Sequence, residues 1–178
     1  MSEKPGRYQR SSNGLIGALL VTLLAIGAFV TVRSLGRTDV EIEREPVDYA
    51  AAAEAARDAG FDVVAPSALP SGWTATAVDL KQTDPPEWGM GVLTADGKFV
   101  GLRQETESAS DLVEVNMDED ADEGDPLSVD SAVGDSWQSW TDEGGDTGYA
   151  IEFGDQTLLV YGSAPAEDLQ EFITLLEP

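Results

Sequence analysis

Eighteen consecutive uncharged residues, Leu15 to Val32, constrain this chain more than any other feature. Fourteen are Ala, Val, Ile, Leu or Phe, and the other four are Gly17, Thr22, Gly27 and Thr31. A helix rises about 1.5 Å per residue, so the stretch covers roughly 27 Å, close to the hydrocarbon thickness of a bilayer, about 30 Å. A helix buried in a soluble core normally keeps a polar stripe; this one is apolar all round and is flanked by Arg10 and Arg33. A cleaved signal peptide is the competing reading, with Ala25-Ile26-Gly27 as its small-x-small site. The apolar run continues past that tripeptide to Val32, which favours an uncleaved anchor, and the absence of Cys removes a lipid anchor.

Charge divides the chain at the same place. Residues 1–37 carry five basic residues and one acidic, whereas residues 38–178 carry five basic and 33 acidic. Lys4, Arg7 and Arg10 before the helix balance Arg33, Arg37 and Arg44 after it, so the positive-inside rule alone leaves orientation open. The short tail is the natural piece to leave in the cytoplasm, and Asp39, Glu41, Glu43 and Glu45 make the far side less positive. The expected layout is a cytoplasmic basic tail over 1–11, a transmembrane helix over 12–33, a stalk over 34–46 and an extracytoplasmic domain over 47–178. The bilayer is the first expected partner, and the cell membrane the expected location.

Beyond Pro46 the pattern predicts one α+β domain. Val47 to Ala59 is alanine-rich, with Asp48 at its positive dipole end and Gly60 as its stop. The spacing then turns extended. Strands are expected over 61–65, 74–82, 89–94, 98–104, 127–129, 136–141, 149–153 and 157–161, with Asp96-Gly97 marking a hairpin. A short helix is expected over Ser108 to Met117, and an amphipathic closing helix after Pro165 with Leu169, Phe172, Ile173 and Leu176 on one face. The result is an antiparallel sheet flanked by N- and C-terminal helices, a plan similar at fold level to PsbP-like sandwiches.

Several short motifs together resemble the domain-of-unknown-function family 4245. They are Val47-Asp48-Tyr49-Ala50, Ala65-Pro66, Leu69-Pro70-Ser71-Gly72-Trp73, Thr94 to Leu102, and Gly162-Ser163-Ala164-Pro165, all behind one N-terminal anchor. The resemblance implies membrane proteins of high-GC Gram-positive bacteria (actinobacteria) and a one-domain plan. It implies no activity, cofactor or site residue.

Composition excludes more chemistry than it suggests. Without His or Cys there is no Ser-His or Cys-His relay and no Cys/His zinc site. Gly134-Asp135-Ser136-Trp137 opens like a serine-hydrolase signature but lacks a base, and no Ser lies three residues before Lys4, Lys81 or Lys98. Net charge of −24 repels nucleic acid. Asp118, Asp120 and Asp122 alternate as in a calcium loop, but Glu123 replaces the required Gly and Val129 the required Glu, so the tract reads as a solvated charge run. Of four tryptophans, Trp73 is expected to fill the layer between sheet and helix. Trp137 and Trp140, three apart on a strand, are expected to face opposite sides. Trp88 and Trp140 are the candidate ligand-facing aromatics. No catalytic, cofactor-binding or metal-ligating residue is singled out. The function expected is non-enzymatic binding of an envelope protein or glycan; the alternative is a hydrolase using paired carboxylates.

Overall fold

The computed structural model of the protein describes residues 46–178. The expected tail, transmembrane helix and nearly all of the stalk lie outside the described residues, within which no helix is long and apolar enough to cross a membrane. The described chain is α+β. Helix α1 (Tyr49–Asp58) begins at Asp48, whose Oδ1 accepts the Ala51 N–H at 3.0 Å, and ends before Gly60 at φ +91°. A side-chain acceptor satisfies one orphan donor at the start, and a left-handed glycine closes the end. Arg57 in the last turn donates to the carbonyls of Val63 and Glu177, so the helix end is tied to both margins of the domain.

Ten strands follow. β1 (Ala65–Pro66) pairs with β10 (Leu176–Glu177) as a separate antiparallel ribbon. The main sheet comprises β2 (Thr74–Lys81), β3 (Glu87–Leu93), β4 (Phe99–Glu105), β5 (Asp122–Glu123), β6 (Leu127–Ser128), β7 (Ser136–Thr141), β8 (Thr147–Phe153) and β9 (Gln156–Gly162). Its order is β2-β3-β4-β9-β8-β7-β5, with β6 also pairing β7, and every pair is antiparallel. Helix α2 (Ala109–Asn116) lies between β4 and β5 in sequence, and helix α3 (Ala166–Thr174) follows β9.

The hairpin expected at Asp96-Gly97 joins β3 to β4, with Gly97 at φ +73° and its N–H donating to the Thr94 carbonyl. In β2 the apolar spacing Ala75, Val78, Leu80 breaks strict alternation, and the structure supplies the reason. A register shift between Ala75 and Ala77 inserts one residue, so Ala75 can be buried while Val78 and Leu80 pack against the same core. Ala77, next to the shift, is exposed.

Both faces of the sheet are used. Trp88, Met90, Val92, Val100, Leu102, Leu158, Val160 and Trp137 meet α1 and α3 through Ala53, Ala56, Leu169, Phe172 and Ile173. Trp73 stacks on Phe172, with ring centroids 6.4 Å apart. On the opposite face Leu112 and Val113 of α2 cover Trp140, Ala150 and Leu159. Trp137 and Trp140 therefore do face opposite sides, but neither is exposed, because the sheet is covered on both faces at β7. Further expectations change, and the strand expected over 61–65 is confined to Ala65–Pro66. Leu176 leaves the closing helix and enters β10. The acidic tract is partly structured, since Asp122 and Glu123 pair with Thr141 and Trp140, and the Gly124 N–H donates to the Ser139 carbonyl.

Candidate functional site

Helix α2 covers only part of its face of the sheet and leaves a depression on each side. Its own start is well determined: Ser108 Oγ accepts the Asp111 N–H at 3.2 Å and donates to Asp111 Oδ2 at 2.7 Å. Two buried leucine- and valine-sized contacts hold so short a helix to the sheet, because eight residues form too little helix to persist unaided.

The larger depression is a groove of about 610 Å³ between the start of α2 and the β7–β8 edge. Trp140, Ala150 and Thr157 lie in its lining and are buried; Ser108, Ser110, Ser136, Gln138, Glu123 and Glu152 rise around them and are exposed. Alternation along β7 explains the set, because Ser136, Gln138 and Trp140 are spaced by two. Short β5 brings Glu123 opposite Trp140. The lining contains hydroxyls, one amide and two carboxylates, and no basic side chain. Such walls offer donors and acceptors to a neutral, hydroxyl-rich ligand and nothing to a polyanion.

Of the two candidate aromatics, the structure brings one to this groove. Trp140, at 6% exposure, lies in the groove lining, whereas Trp88, at 2%, sits in the main core. The correction for Trp88 is one of face: it alternates with Gly89 on β3, and the glycine faces the side on which the Arg103 side chain lies. Ser108, Ser110, Gln138, Glu123 and Glu152 carried no motif. Their approach depends on α2 folding back over β7 and β8, which local periodicity does not encode.

A smaller cleft of about 140 Å³ lies on the same face over β2, β3 and β4, lined among others by Thr76, Asp79, Phe99, Arg103 and Tyr161. Its floor is glycine. Gly91 pairs with Gly101 and Gly89 with Arg103 across β3 and β4. A Cβ on Gly89 would collide with the Arg103 guanidinium, and one on Gly101 would stand 2.6 Å from the Tyr161 ring. Flat side chains thus lie directly on the backbone.

Two carboxyl groups outside both depressions hold their protons unusually well. Burial, with Glu87 adding repulsion, raises Glu105 above its ordinary 4.5; burial and Asp142 raise Asp146 above 3.8. For Glu105 the folded state binds its proton more tightly than the unfolded chain does. Its contribution is therefore most favourable below the ordinary carboxylate range and is lost as pH rises through 4.5 toward the higher folded value. Glu105→Gln is expected to raise the melting temperature near about pH 7 and to leave it unchanged near about pH 3. Parallel melts at the two pH values check this, and equal shifts at both would contradict it.

Among the described residues no group of three or more acidic side chains is placed to hold a metal ion. The family described as "Protein of unknown function (DUF4245)" matches residues 7–176. No curated protein matches. A solved structure of the Pseudomonas aeruginosa MucA/MucB complex is similar over 66% of this chain and 35% of that one, at 11% identity and a TM-score of 0.36. The chain thus spans about a third of the length of that protein.

Proposed function

Since the chain belongs to the DUF4245 family, we propose from its own residues that it is a membrane-anchored binding module with its acidic domain outside the cell. The uncharged run from Leu15 to Val32 supports the anchor, and the shortness of the tail before it, the natural piece to leave in the cytoplasm, supports the side. The groove beside α2 is the binding site, and its ligand is a neutral glycan of the envelope. One observation carries this: 610 Å³ lined by hydroxyl, amide and carboxylate groups around a tryptophan, with no basic residue in the lining. Serine and glutamine supply donors, while Glu123 and Glu152 accept from sugar hydroxyls.

The test uses the full-length chain in detergent micelles and a neutral N-acetylhexosamine oligosaccharide followed by calorimetry. Saturable binding is expected, and Gln138→Ala combined with Glu152→Ala, both exposed positions, should weaken it about tenfold or more. No heat, or binding that survives the double substitution, counts against the groove. Protease accessibility on intact cells checks the side: the domain should be digested while the tail is protected.

A further inference from the structure

We propose that the glycine-floored cleft, on the other side of α2 from the groove, is a second binding site that takes the zwitterionic head of a free α-amino acid. Arg103 receives the carboxylate and Asp79 the ammonium. Arg103 is held in place but not used up. Its Nε donates to Asn116 Oδ1 at 3.2 Å, and Asn116 is itself fixed by donating to the Leu112 carbonyl at 2.8 Å. Tyr161 OH approaches the same Asn116 oxygen at 3.4 Å. Nη1 stands 3.8 Å from Asp79 Oδ2, an ion pair too long to be a hydrogen bond, and both side chains line the cleft. The side chains are 30% and 58% exposed, which leaves both charges reachable.

Two features select a zwitterion over a simple acid or amine. Residues 46–178 hold four basic and 29 acidic residues, so the domain's long-range field opposes entry of an anion. A lone amine would meet Arg103 at the cleft. A ligand with both charges on one carbon is neutral at a distance, and each charge meets its opposite where Arg103 and Asp79 stand side by side. Phe99 and Tyr161, edge to face at 5.8 Å, form an apolar wall for a small side chain. The 140 Å³ available suits an amino acid of about the size of alanine or valine. Gly89, Gly91 and Gly101 let the Arg103, Phe99 and Tyr161 side chains lie close over the strands, since a Cβ at any of them would press on one of these side chains.

Calorimetry or ligand-observed NMR on the full-length protein in micelles, with valine, its methyl ester and N-acetylvaline as probes, tests this. Valine should bind saturably, with a dissociation constant on the order of 1 mM, and each blocked form should bind about tenfold more weakly or not at all. Arg103→Met and the more exposed Asp79→Asn should each cost about tenfold while the melting temperature of Asp79→Asn stays near the parent value. Absence of saturable valine binding overturns the proposal. So does equal binding of N-acetylvaline, which would make the cleft a plain carboxylate site, or valine binding untouched by Asp79→Asn. The groove variant Gln138→Ala/Glu152→Ala should bind valine normally, which separates this site from the glycan groove.

Discussion

Trp137→Ala is expected to destabilise the domain by about 3–5 kcal/mol, the range for deleting a large aromatic from a core. Trp137 is fully buried, at 0% exposure, in the cluster that includes Leu158, Val160 and Phe172. It sits opposite Leu127 of β6, and its Nε1 donates to the Gly134 carbonyl at 3.1 Å. Removing it opens a large void and also unties the turn that leads into β7, because Ser131 Oγ alone would remain on the Gly134 carbonyl, at 2.7 Å. Urea denaturation should show the midpoint falling with the slope retained. A loss under about 1 kcal/mol would mean that β6 and β7 contribute far less to the core than their burial implies. Because β7 also carries Ser136, Gln138 and Trp140, weakened glycan binding in this variant would accompany loss of stability rather than report on the groove itself.

Gln104→Leu is expected to cost about 2–5 kcal/mol although leucine is of similar size and more apolar. Gln104 is 2% exposed, and its amide is fully engaged. Oε1 accepts the Val64 N–H at 2.8 Å, while Nε2 donates to the Asp62 carbonyl at 2.6 Å and to Gln156 Oε1 at 2.8 Å. Gln156 in turn donates to the Pro86 carbonyl at 2.8 Å. One side chain on β4 thus fastens the segment after α1 and the start of β9, and Gln156 carries the chain of bonds on to the entry to β3. Leucine would leave a buried backbone N–H without its partner, and each such orphan costs about 1–3 kcal/mol. Gln156→Ala, which removes only the half-buried end of the chain of bonds, should cost less. Chemical denaturation of both variants decides the matter, and a neutral Gln104→Leu would show that water replaces the lost bonds.

Much of this architecture is written in local pattern. Asp48 and Gly60 bound α1, Ser108 opens α2, and Asp96-Gly97 turns β3 into β4, each through an effect that reaches only a few residues. β7 at Ser136–Thr141 has the expected limits, because alternation around two tryptophans survives in any packing. The candidate site was legible only through Trp140. Trp88 was misplaced because exposure of one strand face depends on what covers it, and nothing adjacent to Trp88 in sequence reports that α1 and α3 lie on its side.

Sequence by itself determined the apolar run, the reversal of charge, the absence of His and Cys chemistry, the run of strands and the family. These are sums over neighbours in the chain, or properties of single side chains, and survive without coordinates. Only the tertiary structure decided that α2 crosses the sheet with a groove on either flank. It also decided that Gln104 gathers two distant segments, and that Arg103 lies on Gly89 beside Asp79. Those facts join residues 14 to 52 positions apart, and the burial that makes them matter is created by the packing itself.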